Sequence, residues 1–294
     1  MRRADYVLLF ALSLPWGCAF LFFKLLVGQM PPLTVAFGRV AIAAAVIVPA
    51  LALRGVSLGR HARHWRGLLL LGLLNNAVPF TLLAWGLART ESGTASIVNA
   101  TTSLMVALVA WAYGERPAWN VAAGVALGVF GVAVLVGPAA LRGGSVAGNL
   151  ACLGAALSYG LSARVMGRLR DLPPLVLAAG PLVSSSLILA PLVLLVDRPW
   201  ALPPPSATGW LALLGLGLIS TALAYALFFR LVASAGAANA MLVTFLVPVT
   251  ALVLGNRVLG EPITRDAVLG AAIIAAGLVL LDGRWRRPAR GEAA

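Results

Sequence analysis

The sequence predicts an all-α integral membrane protein: ten transmembrane helices as two inverted five-helix repeats around a central cavity, with both termini cytoplasmic. Three observations predict it. First, the 294 residues are 61% hydrophobic and 11% charged, with a mean hydropathy of +0.97, whereas soluble domains are roughly half apolar and a quarter charged. Second, the apolar residues fall in runs of about 20, the length that crosses a bilayer as a helix. Third, the chain repeats itself at a nearly fixed offset.

Taken in order, the runs lie at about 5–27, 32–53, 67–87, 93–113, 118–137, 148–167, 174–196, 208–230, 236–255 and 266–282. The first follows Met1-Arg2-Arg3 and imitates a secretory leader. It continues past Gly17-Cys18 to about Val27 without a small-residue cleavage site, so it reads as a retained span. The second starts at Pro31-Pro32 and holds Arg39; the third follows the basic link Arg54–Trp65 and carries Asn75, Asn76 and Pro79. Small polar residues mark the fourth (Asn99, Thr101, Thr102, Ser103), while the fifth is apolar with Gly124, Gly128 and Gly131. Such glycine faces let helices touch closely, within one chain or between two. The sixth brings Tyr159 and Ser162, and the seventh is mostly apolar. After the proline-rich link Asp197–Ala207, the eighth carries Ser220, Tyr225 and Phe229. The ninth holds Asn239, Thr244, Phe245 and Pro248, and the tenth Gly270 and Gly277.

Arginine placement sets the orientation. With the N-terminus inside, fifteen arginines, from Arg2 and Arg3 through Arg116 to Arg284, Arg286, Arg287 and Arg290, face the cytoplasm. Only Arg89, Arg142, Arg198, Arg257 and Arg265 face outward. The formal charge of +13 is thus a topology signal, and no nucleic-acid partner is expected. The partners expected are the lipid bilayer and a small-molecule substrate, with the protein a monomer or weak homodimer in a bacterial inner membrane.

The repeat divides the chain into 1–140 and 141–294. At an offset of 143, Trp16-Gly17 falls on Tyr159-Gly160, Pro31 on Pro174, Gly72 on Gly215 and Gly93 on Gly236. At 146, Gly114-Glu115 falls on Gly260-Glu261, Gly124 on Gly270, Gly131 on Gly277 and Gly137 on Gly283. Five spans per copy is an odd number, so the copies must cross the membrane in opposite directions. Inverted repeats of this kind are a transporter signature, with the binding site near mid-membrane between them.

Polar and aromatic residues concentrate in spans 1, 3, 4, 6, 8 and 9, which assigns those to a cavity and spans 2, 5, 7 and 10 to the scaffold. The candidate lining is Trp16, Phe20, Lys24, Asn76, Phe80, Trp85, Asn99, Ser103, Tyr159, Ser162, Tyr225, Phe229, Asn239, Thr244 and Phe245. Pro15, Pro79 and Pro248 are candidate hinges or kinks, because a proline frees a carbonyl inside a helix. Lys24 and Arg39 are the ionisable residues deepest in spans; each either faces the cavity, attracting a carboxylate or phosphate, or snorkels to the interface. All nine acidic residues lie at span ends or in links, so proton coupling through a buried carboxylate has no support. No Walker A, HExxH or Cys/His cluster occurs, and neither a cofactor, a metal nor an enzymatic activity is expected.

These features resemble the drug/metabolite transporter superfamily in its ten-span form with two EamA domains. The resemblance rests on Trp16-Gly17 with Lys24 after it, Arg39, the two Gly-Glu steps, the glycine-spaced spans that follow each, and Pro248. In the fourth span the corresponding residues are Ser103-Leu104, without the proline. Within the superfamily the chain looks most like amino-acid exporters of the YddG type. That resemblance implies export of aromatic or neutral amino acids, or similar metabolites, by alternating access. Carriers of drugs, nucleotide sugars or other phosphorylated metabolites remain the alternative, with a channel or a non-transporting membrane protein behind them.

Overall fold

A computed structural model describes residues 2–115, 118–141, 145–240 and 242–282, with backbone alone at 135–141, 237, 238, 245, 281 and 282. Arg116, Arg142, Gly283 and the arginines from Arg284 onward, read above as topology and repeat signals, lie outside the described residues. The described chain is helical and contains no strand. Its principal helices are α1 Arg3–Leu26, α2 Pro32–Leu53, α3 Leu58–Leu87, α4 Ser92–Ala112 and α5 Trp119–Leu141. After them come α6 Val146–Arg168, α7 Pro174–Ala201, α8 Ala207–Ala235, α9 Val243–Leu259 and α10 Arg265–Asp282.

Local chemistry sets the ends. Pro32 and Pro174 open α2 and α7, where the missing N–H of a proline costs nothing. Ser145 and Ser206 cap α6 and α8 by accepting the N–H groups of Gly148 and Gly209. Gly114 and Gly260, each just before a glutamate, have φ of +87° and +68°. A left-handed turn of this kind strains any residue with a Cβ, so the chain reverses at glycine.

Among the described residues, seven helices are long and apolar enough to cross a membrane, and Trp119–Val134 and Leu246–Leu259 are shorter apolar helices. Outward-facing Phe10, Leu14, Phe130, Leu150, Leu187, Leu195, Leu211, Val249 and Leu269 are more than half exposed. Such a belt of large apolar side chains suits hydrocarbon, not water.

Inside the bundle, α1 packs on α8 and α9, α6 on α3 and α4, α2 on α7 and α8, α3 on α7, and α4 on α9. The pair α5 and α10 pack on each other along their glycine faces. A Cβ on Gly277 would stand 2.7 Å from the Gly124 carbonyl oxygen and 2.9 Å from the Gly128 nitrogen. The small-residue faces therefore meet within one chain.

Candidate functional site

Two helices widen into a π-helical turn at mid-length: Leu73–Ala77 in α3 and Gly215–Leu223 in α8. Such turns break the regular ladder of backbone hydrogen bonds and recur at functional positions. In α3 the cause is Pro79, which cannot donate an N–H and whose ring crowds the carbonyl one turn earlier; the regular helix resumes over Val78–Leu87. Side chains satisfy the freed backbone. Ser158 of α6 donates to the Leu74 carbonyl at 2.7 Å, and in α8 Thr221 donates to the Leu216 carbonyl at 2.8 Å.

Four helices build a polar cluster on the α3 turn. Asn76, fully buried, donates to the Ser185 hydroxyl of α7 at 3.4 Å and accepts from Asn75 at 3.3 Å. The Tyr225 hydroxyl of α8 also donates to Asn76, at 3.4 Å. Ser162 of α6 donates to the side-chain Oδ1 of Asn75 at 3.0 Å. From Tyr225 the cluster runs into rings: Phe229 edge-on at 6.3 Å, then Phe228, then Trp16 of α1 at 5.6 Å from Phe228. Beside it lies Arg39 of α2, whose Nε donates to Thr221 at 2.9 Å. Tyr159, half-buried against the core, is within electrostatic reach of Arg39 and Tyr225. Amides, hydroxyls and one guanidinium thus stand next to aromatic faces at this point of the bundle.

Lys24 has a different place. Its Nζ donates to the Leu87 and Thr90 carbonyls at 3.0 and 2.7 Å and stands 3.9 Å from Glu261. Glu261, on the link between α9 and α10, accepts the Ser92 backbone N–H at 2.9 and 3.1 Å and the Ser92 hydroxyl as well. A cation thus covers the carbonyl end of α3 while an anion covers the amide end of α4, each matching the partial charge it meets. Burial first, and the Glu261 carboxylate second, push the neighbouring Glu91 carboxyl above its ordinary pKa, while Lys24 pulls it back.

The remaining candidates disperse. Phe20 is buried in the core, and Phe80 lies under Arg39. Trp85 lines a separate cavity of about 290 Å³ with Phe23, Leu26 and Met30, Arg89 stacking on its ring at 3.7 Å. The side-chain Oδ1 of Asn99 is buried with no hydrogen-bond partner among the described residues, just before α4 kinks at Thr101, and Ser103 is half-buried just after it. Asn239 donates to the Ala235 carbonyl at 2.7 Å, Thr244 is half-buried, and the Phe245 side chain lies outside the described residues. Pro15 and Pro248 are buried within helices that continue past them. Sequence reasoning missed Ser185 and Phe228. The run Ser184-Ser185-Ser186 in an apolar span was a visible signal for the first; for the second, adjacency to Phe229 said nothing about which way the ring points.

The EamA-like transporter family model matches residues 4–137 and again 146–281. The chain is 26% identical to the uncharacterized transporter YoaV of Bacillus subtilis, over 92% of this chain and 94% of that one. It is also 26% identical to the uncharacterized inner membrane transporter YedA of Escherichia coli, over 96% and 92%. With a probable terminal-alkyne amino-acid exporter of Streptantibioticus cattleyicolor it shares 30% identity, covering 69% of this chain and 68% of the relative. A crystal structure matches its fold with a TM-score of 0.65 at 23% identity, over 95% of this chain and 96% of that one.

Proposed function

The chain belongs to the EamA-like transporter family, a family of transporters and not enzymes, and on that premise we propose that it exports amino acids, aromatic or neutral, or similar small metabolites. It works as a ten-span inner-membrane protein with cytoplasmic termini, by alternating access between inverted repeats 1–140 and 141–294. Helix packing supports the repeat: moving each helix on by five carries α1–α9 to α6–α4, α1–α8 to α6–α3, and α2–α8 to α7–α3. The pairs α2–α7, α4–α9 and α5–α10 map onto themselves. In this orientation the corner formed by Lys24, Ser92 and Glu261 closes the outer end, and Glu115 with Arg164 lies at the inner end.

The observation that carries the substrate reading is the mid-membrane cluster of Asn75, Asn76, Ser162 and Tyr225 joined to the rings of Phe228, Phe229 and Trp16. It offers donors and acceptors for a zwitterionic head and ring faces for an apolar side chain. The relative named as an amino-acid exporter supports the same class. A phosphorylated substrate fits less well, because Lys24 is held at the outer corner by carbonyls and Glu261, leaving Arg39 as the cation beside the cluster.

The test is efflux of labelled phenylalanine and leucine from proteoliposomes containing only this protein, with and without a pH gradient. Saturable efflux that weakens at least tenfold in Asn76→Leu is the expected result. Absence of amino-acid movement under both conditions would refute the substrate claim.

A further inference from the structure

Arg39 is 6% exposed in the middle of the bundle. A charge held away from water in a membrane costs several kcal/mol and is kept where it has work to do. The ordinary compensation is a carboxylate, yet among the described residues none lies within ion-pair distance of Arg39. Its Nε is engaged with Thr221, and its Nη2 reaches the Ser220 carbonyl only at 3.4 Å, near the limit for a hydrogen bond. Its Nη1 group makes no hydrogen bond among the described residues.

The guanidinium is also held in orientation. It lies 3.7 Å from the centre of the Phe80 ring and 5.4 Å from that of Phe23, faces that favour a flat cation. The hydroxyl of Ser220, the residue whose carbonyl Nη2 approaches, is buried and has no hydrogen-bond partner among the described residues. Its partners Thr221 and Phe80 lie one helical turn from Tyr225 and Asn76, which belong to the amide cluster on α3. A fixed cation with spare donors, an unused hydroxyl and aromatic walls thus converge beside that cluster.

We infer that Arg39 is the residue that recognises a carboxylate on the transported molecule, with the guanidinium as anchor and Ser220 as an accessory hydroxyl. This rests on the transport reading above and narrows it to substrates that carry a carboxylate. Arginine, with its planar fork, suits a two-oxygen anion in a way lysine does not.

The test separates the two claims. Purified protein in detergent is titrated with phenylalanine, phenylpropionate and phenylethylamine while thermal unfolding is followed, and the same compounds are followed in proteoliposomes. The expected result is stabilisation of the wild type by the two carboxylates and not by the amine. Arg39→Gln, eluting as a monodisperse peak, loses at least tenfold in apparent affinity for both carboxylates, and Arg39→Lys recovers part of it. If Arg39 acted only as a brace for the α8 turn, Thr221→Val, which cuts the Nε hydrogen bond and keeps the charge, would lose the carboxylates as fully as Arg39→Gln does, and that result would overturn the inference. The inference is overturned if the carboxylates stabilise Arg39→Gln as well as they do the wild type, or if the wild type responds to none of them or equally to the amine. Carboxylate binding without movement would remove the transport reading and leave Arg39 in place. Amino-acid movement indifferent to Arg39→Gln would do the reverse.

Discussion

The two Gly-Glu corners are written alike in the sequence and built differently in space. At Gly114-Glu115, the glutamate pairs with Arg164 at 3.0 Å, but Glu115 is 65% exposed, and the half-buried Arg164 leans at 4.2 Å on a Tyr113 ring that is itself exposed. At Gly260-Glu261, the charge pair is longer, 3.9 Å to Lys24, yet Glu261 is only 12% exposed and also holds the first backbone N–H and the hydroxyl of α4. Distance alone ranks the first corner as stronger. Burial and the number of partners reverse that ranking, because an exposed pair is worth about 0–1 kcal/mol whereas cutting a shielded, multiply bonded one costs about 3–5 kcal/mol.

The largest effect that would sharpen the contrast is Glu261→Ala. It should lower stability in detergent by about 3 kcal/mol, while Glu115→Ala changes it by less than about 1 kcal/mol, both read from thermal unfolding. Equal effects would erase the difference between the corners. Lys24→Ala comes next. It frees the Leu87 and Thr90 carbonyls but leaves Glu261 its Ser92 donors, so the loss should be about 1–3 kcal/mol, smaller than for Glu261→Ala.

The smallest effect concerns Glu91 and depends on pH. Its pKa is raised in the folded protein above the ordinary 4.5, chiefly by burial. The folded state therefore holds this proton more tightly than the unfolded state, and stability falls as pH rises from the ordinary value through the raised one. Glu91→Gln should match the wild type below about pH 4 and exceed it slightly at neutral pH, in unfolding curves taken across that range. A variant less stable than the wild type at neutral pH would mean that the Glu91 charge is favourable after all.

The contrast also shows which parts of the molecule the sequence discloses. The helices were legible because each needs only a run of apolar residues, seven of them long enough to cross a membrane among the described residues, and the Gly-Glu corners because a left-handed turn selects glycine locally. The polar residues of α3 stood out in an apolar run, and Pro79 marked the place where that helix departs from regularity. What stayed hidden depends on distant partners. Lys24 reads as a cation of the cavity or of the interface until the link between α9 and α10 brings Glu261 beside it, and Ser185 reads as filler until α7 lays it against Asn76. The glycines of α5 and α10 announced a close contact without saying that they contact each other.

The most direct measurement is the accessibility of the α3 cluster from each face of the membrane. A Ser162→Cys variant, with Cys18 and Cys152 replaced by serine and alanine, is labelled with an impermeant maleimide in right-side-out and inside-out vesicles. Alternating access predicts labelling from both faces. Adding Glu261→Gln, which loosens the corner that the proposed orientation puts outside, should raise the outer rate and lower the inner rate, since opening one end shifts population away from the other. Labelling from one face only, or rates that rise together, would contradict the account.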